Sequence, residues 1–212
     1  MRQTVAQKRI VVLGATGATG RLVVSTALRR AHHVIALVRR TGSFAPAEGL
    51  HEVEWQHLSD VATLTSALTG ADAVISTLGG AAQGPTSVCT DAMTVTVPAM
   101  QRAGISRLVA LSAHGVADSR DRSLFSLAVW AGVGEKMRDK ESMEPLVSSS
   151  GLDWTIVRPP MLRDTPATGN YRVATDLPVH LWTSVARADV ADFLVREVEA
   201  PHHLHAYPRI TR

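Results

Sequence analysis

The segment Gly14-Ala15-Thr16-Gly17-Ala18-Thr19-Gly20 constrains this chain more than any other. It spells G-x-x-G-x-x-G and follows a short apolar run, Ile10-Val11-Val12-Leu13, that reads as a buried strand. Residues 20–30 follow with helical periodicity, placing Leu22, Val23, Thr26 and Ala27 on one face. A strand, a glycine-rich turn and a helix in this order form a phosphate-binding unit. Glycines allow a tight turn and close backbone approach, and the helix start offers N–H groups and partial positive charge. The spacing therefore predicts dinucleotide binding by Gly14, Thr16, Gly17, Ala18, Thr19 and Gly20. The plainer reading is a glycine-rich turn.

The rest of the chain repeats the alternation. Strands are predicted at Val34–Val38, Glu52–Trp55, from Ala73 to Gly79-Gly80, at Leu108–Leu111 and at Trp154–Val157. Helices are predicted over 61–70, over 86–103 with a kink or split at Pro98, at Glu135–Ser149, and around Val190–Val198. Ile210 falls on a short terminal strand. Apolar strands alternating with helices imply an α/β fold: a Rossmann-like, doubly wound parallel sheet with helices on both faces. No linker interrupts the pattern, so residues 1–212 are expected to form a single NAD(P)-binding domain. Two irregular stretches, 113–135 and 159–185, follow strands and are expected to wall the ligand site, because such folds bind ligands at the carboxyl ends of their strands.

Arg39 and Arg40 close the second strand. An acidic residue at that place bonds the ribose hydroxyls of NAD, whereas an arginine accommodates the 2′-phosphate of NADP. The planar guanidinium suits a phosphate, so NADP(H) is the expected cofactor. The plainer reading is two solvated arginines.

Composition excludes several classes. The 212 residues are 45% hydrophobic and 19% charged, which rules out a disordered chain. The pI near 9.5 suggests a nucleic-acid partner. However, a net charge of +3, basic runs no longer than two, and four Trp, two Tyr and three Phe argue against that as the main role. No stretch reaches the ~18 apolar residues of a membrane span, and Ile10–Leu13 is too short for a signal peptide. A cytoplasmic location without membrane partners is expected. Cys89 is the only cysteine and reads as a buried, inert thiol. His202, His203 and His205 lack a carboxylate pattern, so no metal is expected. His114 reads as a surface-loop histidine, with a general acid as the sharper alternative. Glu135, Lys136, Arg138, Asp139, Lys140, Glu141 and Glu144 read as a solvated helix face.

With these residues in view, the chain resembles the atypical short-chain dehydrogenase/reductases. The resemblance rests on Gly14–Gly20, Leu37-Val38-Arg39, Asp60-Val61, Gly70–Ile75, Leu78-Gly79 and Gly151-Leu152-Asp153-Trp154-Thr155-Ile156-Val157-Arg158-Pro159. It covers about residues 8–210. The nearest groups are NmrA-like proteins and the biliverdin-IXβ reductase/flavin reductase branch, which Gly84-Pro85-Thr86-Ser87 and Thr168-Gly169-Asn170-Tyr171 resemble more particularly.

The resemblance implies that Asp60 and Val61 flank the adenine, and that Leu78, Gly79 and Gly80 pass over the ribose and diphosphate. It implies that Ser112 lies beside the nicotinamide as the catalytic candidate, and that Pro159, Pro160 and Met161 lie against the nicotinamide amide. The plainer readings are a helix cap at Asp60, a turn at 78–80, a packed hydroxyl at Ser112 and a strand terminator at 159–161. The chain departs from the tyrosine-dependent members of the superfamily, which use Y-x-x-x-K. Four residues before Lys140 stands Lys136, and Tyr171 and Tyr207 are each followed four residues later by threonine. Alcohol–ketone interconversion is then disfavoured. The expected function is hydride transfer from NADPH to a flat conjugated acceptor such as flavin or quinone. The alternatives are a non-catalytic NAD(P)-sensing regulatory protein and an isomerase or epimerase with tightly held NAD. Relatives of this branch are often monomers, so a monomer or weak homodimer is expected.

Overall fold

Val11, Leu13, Ile35, Leu37 and Val74 face one hydrophobic layer, while Ile10, Val12, Val34, Ala36 and Ile75 face another. Period-two alternation with both faces apolar requires a sheet covered on both sides, and that is the architecture. The computed structural model describes residues 6–80 and 86–212. Its central sheet holds β1 (Arg9–Leu13), β2 (His33–Val38), β3 (Leu50–Glu54), β4 (Ala73–Ser76), β5 (Arg107–Leu111) and β6 (Asp153–Val157). The strands are all parallel, in the order β3-β2-β1-β4-β5-β6. Helices α1 (Ala18–Arg29) and α5 (Arg187–Glu199) pack on one face. Helices α2 (Val61–Leu68), α3 (Val88–Ala103) and α4 (Leu124–Ser148) pack on the other. This is the doubly wound α/β sheet that the sequence predicts. Strand order reverses between β1 and β4, so the ligand crevice belongs at their carboxyl ends.

Several expectations fail locally. β4 ends at Ser76 rather than running to Gly79-Gly80, which lie in the loop beyond it. Pro98 does not split α3, which runs unbroken from Val88 to Ala103. Proline removes a single backbone bond there, and burial of Met93, Thr96, Val97, Ala99 and Met100 holds the helix together. α4 begins at Leu124, inside the stretch read as irregular, with the Ser123 side chain accepting from Ser126 N at 3.2 Å. It is interrupted at Val133 (φ −139°, ψ 33°), between Gly132 and Gly134. The 159–185 stretch contains β7 (Met161–Arg163), β8 (Arg172–Ala174) and, at its end, β9 (Ser184–Ala186). β7 pairs with β9, and β8 pairs antiparallel with β10 (Arg209–Thr211). Among the described residues no helix is long and apolar enough to cross a membrane.

Candidate dinucleotide site

The passage from β1 through the loop into the first turn of α1 is packed so tightly that only glycine fits at two of its positions. Gly14 has φ +72°, and a Cβ there would lie 2.9 Å from Leu78 N and 3.0 Å from the Thr77 carbonyl carbon. A Cβ at Gly20 would lie 2.1 Å from Gly14 O. Gly17 closes the turn by donating its N–H to Gly14 O at 3.0 Å and then caps α1. No side chain caps that helix start and no acidic residue stands in its first turn, so its polar end faces outward uncompensated. Thr77 ties the neighbouring strand to the loop through Oγ1 bonds to Leu13 O (3.0 Å) and Gly14 O (3.2 Å).

A hollow of about 590 Å³ opens over this loop. Gly14, Thr16 and Gly17 line its floor, and Leu37, Val38 and Arg39 line one side. Leu78, Gly79, Gly80, Thr86 and Val88 line the opposite side. Of the glycine-loop residues, Ala18 is exposed beside the hollow, while Thr19 and Gly20 are buried in the first turn of α1. Arg39 and Arg40 are both exposed, but only Arg39 lines the hollow. The 41–44 turn beyond them is fixed by β3 carboxylates. Glu52 accepts from Gly42 N (2.5 Å) and Phe44 N (2.7 Å), and Glu54 accepts from Thr41 N (3.3 Å).

The site departs from the sequence reading in several places. Asp60 does not line the hollow. It caps α2 by accepting from Thr63 N at 3.0 Å, and Val61 is the first helical residue. Trp55, Gln56 and Leu58 wall that end instead, with the Trp55 indole donating to Asp60 O at 3.0 Å. Their position just past β3 was the available signal. Gly84 and Pro85 lie outside the described residues.

Just past the carboxyl end of β5, Ser112 is buried and donates its hydroxyl proton to Glu144 Oε1 at 2.6 Å. Glu144 also takes two bonds from the Arg158 guanidinium, at 3.0 and 2.6 Å, and Arg158 reaches Asp118 at 2.6 Å. Pro159 and Pro160 are buried after β6, whereas Met161 is exposed.

The charged segment of α4 is not a solvated face. Asp139, Lys140 and Glu144 are buried. Asp139 caps α3 by accepting from Cys89 N and Thr90 N, each at 2.9 Å. The Lys140 ammonium donates to Leu78 O at 2.7 Å and to Leu111 O. Two adjacent residues therefore pin both ends of the segment that lines one wall of the hollow. Burial pushes the Cys89 thiol up to about 11, as befits an inert thiol.

His114 is likewise buried rather than on the surface, packed against Phe125 at 5.4 Å, with Nδ1 unpaired among the described residues. Burial, reinforced by Arg209, lowers its pKa to about 4. Tyr171 donates to Asp192 at 2.8 Å. His203 Nδ1 lies 2.7 Å from Glu197 Oε1 and His205 Nε2 lies 3.0 Å from Leu152 O. Among the described residues no cluster of His, Cys, Asp or Glu is placed to hold a metal.

A family model described as NAD(P)H-binding matches residues 14–201. The UPF0659 protein YMR090W of Saccharomyces cerevisiae is 29% identical over 211 residues, covering 92% of this chain and 88% of that protein. Among solved structures, ChuY of Escherichia coli O157:H7, an anaerobillin reductase, matches with a TM-score of 0.80 at 26% identity. The match covers 95% of this chain and 96% of ChuY. A short-chain dehydrogenase/reductase of Veillonella parvula, solved in complex with NADP, gives a TM-score of 0.80 at 18% identity, covering 98% and 95% of the two chains. At that identity the likeness is one of fold.

Proposed function

The chain belongs to the NAD(P)H-binding family, and from that premise we propose that it is an NADPH-dependent reductase. Its hydride acceptor is a flat conjugated molecule such as free flavin or a quinone. One observation carries this reading: a 590 Å³ hollow lies over an uncapped helix start and has Arg39 on its rim. Residues 1–212 act as one cofactor-binding domain. The likeness to ChuY, an anaerobillin reductase, supports reduction of a conjugated acceptor.

The residues present fit a dinucleotide. Gly17 and Gly79 line the hollow without side chains, and at Gly79 an added Cβ would meet no protein atom within 4 Å. Gly14, Thr16, Gly17, Ala18, Thr19 and Gly20 would hold the diphosphate. Arg39, with Arg40 beside it, would hold the 2′-phosphate. Leu78, Gly79 and Gly80 would lie along the ribose. Trp55, Gln56 and Leu58 would wall the adenine, with Asp60 and Val61 behind them. Ser112, Pro159, Pro160 and Met161 would border the nicotinamide. NADPH, when bound, supplies the hydride.

The protein's own groups orient and exclude water. The single Ser112 proton is committed to Glu144, so its hydroxyl meets a ligand as an acceptor. Lys140 is committed to two carbonyls and Tyr171 to Asp192, which supports a reaction without a tyrosine–lysine relay. His114, with its pKa near 4, is neutral at pH 7 and a poor proton store. The proton that follows the hydride therefore comes from solvent, which suits a conjugated acceptor better than a ketone. The test is NADPH oxidation measured against panels of flavins, quinones, tetrapyrroles and simple ketones. Turnover confined to conjugated acceptors is expected. Turnover with simple ketones would overturn the acceptor class, and NADPH binding without turnover on any acceptor would favour a sensing protein.

A further inference from the structure

A second hollow, of about 530 Å³, lies between the β8–β10 ladder and the 178–184 segment. It shares no lining residue with the dinucleotide hollow. Arg172 and Thr211 face each other across that ladder as register partners, and Arg212 follows on the same strand end. On the opposite side, His180 and Thr183 close a turn. Thr183 N donates to His180 O at 2.9 Å and His180 N donates to Thr183 Oγ1 at 2.8 Å. That turn presents Trp182, 79% exposed, at the rim.

The chemistry of the lining is one-sided. Two guanidiniums and an imidazole border the hollow, and no Asp or Glu side chain does. Neighbouring arginines are engaged: Arg187 pairs with Asp164 at 2.6 Å, and Arg209 donates to Leu177 O at 2.8 Å. The Arg172 and Arg212 side chains make no hydrogen bond or ion pair with any described residue. A guanidinium left without a partner at such a place can pair with an anion bidentately. An exposed indole beside guanidiniums supplies a flat surface for an aromatic ring. A hollow of this size admits a molecule of one or two rings.

We propose that this hollow is a second ligand site, which takes a small planar aromatic anion. Its carboxylate or phosphate pairs with Arg172 and Arg212, and its ring lies on Trp182. The site shares no lining residue with the dinucleotide hollow, although its Ser184 is the register partner of Met161 on β7.

Calorimetric titration with 2-naphthoate, using 2-naphthylmethanol as the neutral control, tests it. Naphthoate is expected to bind at least about tenfold tighter than the alcohol. Arg172→Gln should weaken naphthoate by roughly ten- to a hundredfold, and Trp182→Ala by about two- to tenfold. Both side chains are exposed, so both variants should melt like wild type and bind NADPH unchanged. Equal binding of acid and alcohol would overturn the proposal, as would wild-type naphthoate affinity in either variant or competition between naphthoate and NADPH. A single-stranded oligonucleotide binding more tightly than naphthoate through the same residues would replace it with a nucleic-acid surface.

Discussion

The Lys140 ammonium bonds the Leu78 carbonyl at 2.7 Å, joining residues 62 apart in sequence behind the wall of the dinucleotide hollow. The same nitrogen holds Leu111 O at the end of β5. This lysine thereby clamps the loop after β4 to the end of β5.

Replacing Lys140 by Met should leave both carbonyls short of a donor. Each unsatisfied buried carbonyl costs about 1–3 kcal/mol, partly offset by removing a buried charge. A lower Tm and a several-fold weaker NADPH affinity are expected, with turnover at saturating cofactor little changed. Thermal melts, fluorescence titration and steady-state kinetics check this. A thousandfold fall in kcat with cofactor affinity intact would show that the lysine acts in the chemistry.

The two inner glycines should fail differently. Gly20→Ala forces a Cβ to within 2.1 Å of Gly14 O, so α1 must shift; destabilisation by about 2–4 kcal/mol is expected, measured by urea unfolding. Gly17 has more room, with its nearest contact at 3.2 Å. Gly17→Val should therefore fold and yet lose dinucleotide binding, because its side chain occupies the floor of the hollow. A folded Gly17→Val protein with wild-type NADPH affinity would refute the loop assignment.

His114 should make stability depend on mild acid. Its pKa is lowered from 6.5 to about 4, so the unfolded chain takes up a proton before the native protein does. Above pH 6.5 both forms are neutral and the group has no effect. Stability should fall as pH drops from about 6.5 to 4 and then level off for this group. The total loss is at most about 3 kcal/mol. His114→Phe should lose less stability across that window than wild type, by denaturant melts at pH 7, 5.5 and 4. Parallel losses in the two proteins would show that His114 is protonated freely in the native state.

What the sequence made legible was local. Ile10–Leu13, the glycine loop and the apolar runs at 108–111 and 154–157 carry their signal within a few residues, and each became the element expected. Contacts between distant segments were not legible. Asp139, Lys140 and Glu144 read as a polar helix face because their partners stand 50, 62 and 32 residues away. The start of α4 was hidden by Gly132, Gly134 and the break at Val133, which interrupt its periodicity. β7, β8 and β9 have three residues each, too few to show alternation. The lining of the hollow past β3 was not legible either. Asp60 matches a family motif, whereas Trp55, Gln56 and Leu58 line the hollow simply by following β3.

The rim arginine carries the cofactor assignment. A charge-assisted pair between Arg39 and a 2′-phosphate would contribute about 1.5–3 kcal/mol, which would correspond to a preference for NADPH over NADH of roughly 10- to 150-fold. Arg39 is exposed, so Arg39→Asp should leave the fold and Tm little changed. The new carboxylate repels the phosphate and accepts from the ribose hydroxyls of NADH. The decisive measurement is the pair of dissociation constants, for NADPH and NADH, in wild type and in Arg39→Asp. A wild-type preference for NADPH of at least about tenfold is expected, collapsing or reversing in the variant. Equal affinity of the wild-type protein for the two cofactors would contradict NADPH dependence.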